Sequence, residues 1–243
     1  MTGVWLGIDT ATETASVALS PDGPTRGGEA AVVLGEGRPH GADLLVLVDR
    51  VLAQAGRRLA DVAGIVVGDG PGSFTGLRVG WATAKGLAQE AALPVIAIPS
   101  MMGLARAYAD AARGGAIAVC YDALRGAVYG ALYRFAPGRV TTLLAPQVLT
   151  VAELGRVAPE RAVIAVGDGA RRYAADIAAW LGHGPIDVER ADGRRFEGIA
   201  RWLLALRNEG GASRALSDLT TAEPVYGRPA EAQARGLRHS TAT

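Results

Sequence analysis

The sequence predicts an α/β protein built from two duplicated lobes, each a mixed β-sheet with flanking helices. Short apolar segments typical of strands alternate with longer helical patterns along the chain. Residues 6–23 and 117–138 share one plan, which is a strand ending in aspartate, a turn, an alternating strand and a Pro/Gly turn. The letters V-G-D-G also stand between a strand and a helix at both 67–70 and 166–169. We interpret this as a duplication, the alternative being chance similarity between two short α/β units.

The first lobe is predicted to cover residues 1–113 and to open with an antiparallel meander. Apolar runs bounded by Gly or Pro indicate strands, and longer runs with apolar residues three and four apart indicate helices. The predicted strands are 4–10, 15–20, 29–35, 63–68 and 94–98, and the predicted helices are 40–55, 74–91 and 100–113.

The second lobe is predicted to cover residues 114–243, including a C-terminal helix and tail, and begins after the Gly114-Gly115 pair. The predicted strands are 117–122, 127–135, 140–149, 163–167 and 186–189, and the predicted helices are 151–157, 170–181 and 196–207. The last of these helices is a candidate to pack back between the lobes.

Composition narrows the possible functions. The 243 residues are 49% hydrophobic and 20% charged, which is enough for a buried core. A net charge of +1 excludes a nucleic-acid binder that works by positive charge alone. One cysteine and three widely spaced histidines argue against a metal centre, so we predict no metal site. Neither a secretory signal nor a membrane-length apolar run is visible, so we expect a cytoplasmic protein.

Two aspartates end corresponding strands of the two lobes. In ATPases of the actin-like and sugar-kinase-like plan, such carboxylates face a cleft and hold a metal–phosphate complex. Asp9 and Asp122 are placed for that role, and the alternative is that each only ends its strand in a turn. The loop that begins at Thr10 lacks the glycine that a close phosphate contact needs, and it carries the acidic Glu13. We therefore predict a vestigial nucleotide cleft at Asp9, Thr10 and Asp122.

The segment GDGPGSFTGLR, residues 68–78, joins a predicted strand to a helix. It is not a P-loop, since no Gly-Lys-Ser/Thr follows, and its glycine spacing does not fit a dinucleotide fingerprint. The glycines are explained by a tight turn alone. A binding role for Ser73, Phe74 and Arg78 is the alternative.

Both long helices of the first lobe are candidates for a docking face. In 40–55 the apolar residues cover more of the helix than the single stripe a surface helix normally shows. In 74–91 small residues recur every fourth position, which lets another element approach closely. The predicted partner-binding residues are Leu44, Leu45, Val48, Leu52, Ser73, Phe74, Gly76, Arg78, Gly80 and Ala84. The alternative is that both helices are buried inside their own lobe.

Four motifs resemble the TsaB (YeaZ) family of the actin-like ATPase superfamily, bacterial partner proteins in the synthesis of threonylcarbamoyladenosine on tRNA. They are IDTATETASVAL (8–19), GPGSFTGLRVG (70–80), DALRGAVY (122–129) and EPVYGR (223–228). The catalytic TsaD proteins carry a similar glycine-rich segment, but they also have an H-x-x-x-H metal motif, and this sequence has no such pair.

The resemblance implies two actin-like (ribonuclease H-like) lobes and a non-catalytic subunit. Such a subunit would dock a TsaD-like enzyme and, with a TsaE-like ATPase, support modification of adenosine 37 in tRNA. It would bind tRNA only through the complex, form a homodimer when alone, bind no membrane and need no cofactor. ATP or ADP would bind only at the shared interface. An active ATP-dependent phosphotransferase or ATPase of the same fold is the main alternative, and a metal-dependent peptidase is a third.

Overall fold

A computed structural model describes residues 3–20, 31–34, 41–185, 198–209 and 212–227. The predicted strand at 186–189 and the first two residues of the predicted helix 196–207 lie outside the described residues. The elements up to the lobe boundary are β1 Val4–Asp9, β2 Ser16–Leu19, β3 Ala31–Leu34, α1 Gly41–Gln54, a 3-10 turn Leu59–Asp61, β4 Val62–Gly68, α2 Phe74–Ala91, β5 Val95–Ile98, α3 Ser100–Ala107 and α4 Ala109–Ala112.

The elements after Gly114 follow the predicted order. They are β6 Ile117–Asp122, β7 Val128–Ala136, β8 Arg139–Leu149, α5 Val151–Val157, β9 Ile164–Val166, α6 Asp168–Arg172, α7 Ala174–Leu181, α8 Ile199–Glu209 and β10 Arg214–Ala215. Two predicted helices are each divided in the structure, 100–113 at Tyr108 and 170–181 at Tyr173, because both tyrosines leave the helical backbone conformation.

The two sheets have the mixed strand pairing that the sequence predicts. The six-stranded sheet has the order β10-β5-β4-β1-β2-β3, and the four-stranded sheet has the order β8-β7-β6-β9. In the first sheet β1 pairs antiparallel with β2 and parallel with β4. In the second sheet β6 pairs antiparallel with β7 and parallel with β9. The aspartates that end β1 and β6 therefore occupy equivalent places in two similar sheets.

Helices cover the sheets in alternating layers. One apolar cluster joins α1 and α2 to one face of the first sheet, and it includes Leu44, Trp81 and the strand residue Leu6. A second cluster places α3 and α8 between the two sheets. A third joins α5 and α7 to the far face of the second sheet. A continuous core thus links both lobes through α3 and α8.

The end of the chain returns to the first lobe. Helix α8, within the predicted second lobe 114–243, packs on β1, β2 and β4 of the first sheet. Strand β10 then pairs antiparallel with β5, with Arg214 opposite Ala97. The first sheet is therefore completed by residues far along the sequence. Among the described helices, none has a stretch both long and apolar enough to cross a membrane.

Candidate functional site

Asp9 ends β1 in a closed, hydrogen-bonded environment. Its side chain is 1% exposed. Its Oδ2 atom accepts a 2.5 Å hydrogen bond from Ser100 Oγ at the start of α3, and its Oδ1 atom accepts one from the Ala11 amide at 3.2 Å. Burial raises the pKa of Asp9 to about 6, although both hydrogen bonds act in the opposite direction. Gly68 on the neighbouring strand leaves the space that this carboxylate occupies.

Two of the three residues predicted for a vestigial nucleotide cleft, Asp9 and Thr10, are buried. Thr10 is 2% exposed, and it packs against α2 where Gly76 and Gly80 provide room for it. Ser100 Oγ also accepts a hydrogen bond from the Gly70 amide at 3.2 Å. The carboxylate that a phosphotransferase would direct at a metal–phosphate complex instead joins β1, α3 and residues 69–73, which we call the Gly-rich turn.

Asp122, the equivalent residue of the second lobe, supports a turn. Its Oδ1 atom accepts a hydrogen bond from the Leu124 amide at 3.0 Å, and Arg172 Nη1 lies 3.3 Å from its Oδ2 atom. Leu124 and Arg125 both have positive φ angles, +63° and +54°, and the Leu124 side chain is 62% exposed. Because few residues other than Gly adopt this conformation readily, Asp122 braces a strained turn. The geometry fits the alternative of a residue that ends its strand in a turn.

The aspartates inside the two V-G-D-G repeats were not singled out by the sequence analysis. Asp69 is 6% exposed and pairs with Arg214, whose Nη2 atom lies 2.9 Å from its Oδ1 atom. Asp168 accepts a 3.3 Å hydrogen bond from the Asp122 amide. Burial raises the pKa of both carboxyl groups. Within the described residues, no group of three His, Cys, Asp or Glu side chains is arranged to hold a metal ion.

The Gly-rich turn is explained by close packing. Gly70 has φ +84° and precedes a cis peptide bond to Pro71, and Gly72 lies against the Ala11 carbonyl. Ser73 caps α2, since its Oγ atom accepts a hydrogen bond from the Gly76 amide at 3.2 Å. A larger residue at either glycine would collide with the chain itself. The glycines therefore serve the turn, and only the side chains at the start of α2 are free for another role.

An exposed aromatic–arginine cluster lies at the start of α2. We use this name for Phe74, Arg78 and Tyr226. The Phe74 side chain is 42% exposed, and its ring centroid is 4.7 Å from that of Tyr226. The Arg78 guanidinium lies 5.5 Å from the Phe74 ring centroid. Phe74 and Arg78 were predicted as binding residues, whereas Tyr226 was named only within a motif.

Helices α1 and α2 expose fewer of the predicted partner-binding residues than expected. Five of the ten predicted partner-binding residues are buried in the core of the first lobe, so they cannot contact a partner directly and that part of the prediction is corrected. They are Leu44, Val48, Leu52, Gly80 and Ala84. The buried residues of α1 recur every three or four positions and form a single stripe, which packs on the sheet. Leu45 remains outside this stripe at 47% exposure, next to Val46 at 54%.

The predicted residues that stay at least partly exposed are Leu45, Ser73, Phe74, Gly76 and Arg78. Four of these five lie in the first two turns of α2 or directly before it. The structure brings them close to Tyr226 through the ring contact with Phe74. This end of α2 is the best-defined candidate site for a partner on the first lobe.

Comparison with protein families shows which family the chain belongs to. The family model described as TsaD: tRNA N6-adenosine threonylcarbamoyltransferase matches residues 36–175, which is more than half of the chain. The chain belongs to the TsaD family. The matched part of this TsaD-family chain includes α1, the Gly-rich turn and α2, whereas Asp9 and Tyr226 lie outside it.

Individual relatives of the TsaD-family chain carry the TsaB and YeaZ names. TsaB of Escherichia coli is 37% identical over 129 residues, covering 53% of this chain and 54% of that protein. TsaB of Haemophilus influenzae is 38% identical over 124 residues, 51% of each chain. The chain thus spans about half the length of the curated relatives it matches. YeaZ of Pseudomonas aeruginosa superposes with TM-score 0.69 at 27% identity, covering 91% of this chain and 100% of that one. The predicted resemblance to TsaB (YeaZ) is confirmed.

Proposed function

We propose that this chain is an accessory subunit in the formation of threonylcarbamoyladenosine in tRNA and does not itself catalyse the transfer. Its partner is a TsaD-like catalytic subunit, which acts together with a TsaE-like ATPase. The proposal is supported by the similarity to proteins named as tRNA threonylcarbamoyladenosine biosynthesis proteins. tRNA is reached only through the complex.

The observation that carries the non-catalytic role is the closed environment of Asp9. A carboxylate that is 1% exposed and bonded to Ser100 has no open side for a metal–phosphate complex. We expect ATP or ADP to bind only at the interface that the chain shares with its partner.

We assign the docking role to the exposed Leu45 of α1 and to the start of α2. Leu45 and Phe74 are half exposed, and a half-exposed apolar side chain gains stability when a partner covers it. Arg78 adds a charged group beside Phe74. When no partner is present, we expect a second copy of the chain to cover the same surface, which gives a homodimer.

The test is complex formation between the purified chain and a TsaD-like subunit from the same organism. We expect the two to co-elute, and we expect Leu45→Glu and Phe74→Glu to weaken the complex and the homodimer. Val157→Glu is the matched control, because Val157 is 50% exposed on α5 in the other lobe. Equal binding by the docking variants and the control would contradict this surface.

The accessory role is tested separately with tRNA, ATP and the two partner proteins. We expect tRNA modification only when the chain and the TsaD-like subunit are both present. Calorimetry of the isolated chain with ATP and magnesium should give no binding at micromolar concentrations. Turnover of ATP by the isolated chain, lost in Asp9→Asn, would overturn the proposal in favour of an active phosphotransferase.

A further inference from the structure

The C-terminal strap, which we define as residues 212–227, runs across the first lobe from the sheet edge to the Gly-rich turn. The Leu216 amide donates to the Val95 carbonyl at 2.9 Å, beside the short β10–β5 pairing. Farther along, Lys85 Nζ on α2 donates to the Ala222 carbonyl at 2.5 Å. The strap therefore connects the edge strand with α2 before it reaches the turn.

An ion pair between the half-exposed Arg214 and the buried Asp69 fixes the strap to the Gly-rich turn. Arg214 Nη2 lies 2.9 Å from Asp69 Oδ1 and also 2.9 Å from the Glu223 carbonyl oxygen. The Asp69 backbone carbonyl in turn accepts a hydrogen bond from the Val225 amide at 2.9 Å. One guanidinium thus binds the turn and both ends of a loop of the strap. Loss of Arg214 would leave a largely buried carboxylate without its charged partner.

The last described residues of the strap carry Tyr226 onto Phe74. The Val225 carbonyl fills the space beside Gly70, where a side chain would collide with it, and Gly227 lies against Pro71 and the Tyr129 ring. With its two neighbours packed on the turn, Tyr226 has its ring against Phe74 at 4.7 Å between centroids. The strap therefore sets the geometry of the aromatic–arginine cluster.

The cluster presents the Arg78 cation over the Phe74 ring, which in turn contacts the partly exposed Tyr226 ring. Among the residues that the structure describes, no carboxylate lies within ion-pair distance of Arg78. Its guanidinium lies over the Phe74 ring, which orients it and leaves its donors accessible. Charge complementarity favours an anionic partner group, and the exposed rings favour an apolar side chain beside it.

We propose that Tyr226 is a partner-contact residue and that Asp69 and Arg214 are positioning residues for it. The occupant of the cluster is a segment of the TsaD-like subunit that presents a carboxylate next to an apolar side chain. This inference rests on the proposed docking function and adds the C-terminal strap to the docking surface.

Direct contacts are tested by the affinity of the full-length chain for the TsaD-like subunit at two salt concentrations. We expect Tyr226→Ala and Arg78→Gln each to weaken binding about tenfold or more, as expected for aromatic and arginine contacts at the centre of an interface. Arg78→Gln should also reduce the dependence of the affinity on salt, because the charged contact is gone. Arg139→Gln is the matched control, because Arg139 is an exposed arginine at the start of β8 in the other lobe.

The positioning role is tested with Arg214→Gln and the conservative Arg214→Lys. Thermal unfolding, measured for each variant, identifies any that fail to fold. In folded protein we expect Arg214→Gln to weaken binding while leaving the salt dependence unchanged, because Arg78 is still present. Arg214→Lys should restore most of the affinity, since it keeps the charge opposite Asp69.

The two proposals fail in different ways. If the unaltered chain does not bind the TsaD-like subunit, or if Leu45→Glu has no effect, the docking function itself is wrong. If Leu45→Glu weakens the complex but Tyr226→Ala and Arg78→Gln bind like the unaltered chain, only the inference about the strap is overturned. The inference about the strap would also be overturned if Tyr226→Ala and Arg78→Gln changed only homodimer formation or only tRNA binding.

Discussion

Replacing Asp9 with asparagine measures the effect of burying a carboxylate at the end of β1. Asparagine has nearly the same shape but no charge, so the substitution keeps the packing beside Gly68. The pKa of Asp9 is raised to about 6 in the folded chain, from 3.8 in the absence of structure. Between these values the folded state binds more protons than the unfolded state. The contribution of the Asp9 carboxyl group to the free energy of unfolding therefore falls as pH rises from about 3.8 to about 6.

The magnitude follows from the size of the shift. A difference of 2.2 pKa units, that is 6 minus 3.8, corresponds to about 3 kcal/mol of stability lost between low pH and neutral pH. Slightly more than half of this loss occurs below pH 5, and about 1.4 kcal/mol of it occurs between pH 5 and pH 8. Asparagine has no such dependence. The stability of Asp9→Asn relative to the unaltered chain should therefore increase by about 1.4 kcal/mol over that interval.

Urea unfolding of both proteins at a series of pH values gives the comparison directly. Asp218→Asn is a suitable control, because Asp218 is exposed and hydrogen bonds from Thr220 and Thr221 lower its pKa to about 2. Its substitution should give a difference that is constant between pH 5 and pH 8. A difference for Asp9→Asn that stays flat or falls with rising pH would refute the argument that burial dominates the environment of this carboxylate.

Two further predictions concern how backbone conformation and close packing affect stability. Leu124→Asn should raise the free energy of unfolding by up to about 1 kcal/mol, because asparagine tolerates the positive φ of this exposed position; a loss of stability in urea unfolding would count against a strained turn. Gly68→Ala should lower stability by about 1–3 kcal/mol, since its methyl group would overlap the Asp9 carboxylate. Gly86→Ala, on an open part of α2, should instead raise it by about 0.5–1 kcal/mol, and thermal unfolding that ranks the two alanine variants the other way would contradict this reasoning.

Local signals in the sequence were sufficient for most individual elements. Helix α2 covers Phe74–Ala91 as predicted, because Ser73 supplies an N-cap directly after the Gly-rich turn. Strand β6 and helix α5 also have their predicted bounds, Ile117–Asp122 and Val151–Val157. The duplicated pattern was likewise readable, since each aspartate follows a short apolar strand.

Features that depend on distant contacts were not predictable. Strand β10 has two residues and exists only because it pairs with β5, more than a hundred positions earlier. The burial of Asp9 depends on Ser100, whose hydroxyl is brought to it by the fold. For α1 the sequence analysis wrongly predicted that residues of the buried stripe contact a partner. The exposed Leu45 and Val46 make the helix look apolar on most sides. The regular stripe that includes Leu44 and Val48 is the face that packs on the sheet.

The apolar layer of α3 and α8 has a mechanical consequence. Met101 and Leu203 lie in this layer with Tyr121 of the second sheet, and all three are almost completely buried. Swinging the lobes apart would wet these side chains at about 1.5–3 kcal/mol for each. The two lobes therefore form one preformed unit, and the proposed partner would bind it without first having to restrict a relative motion of the lobes.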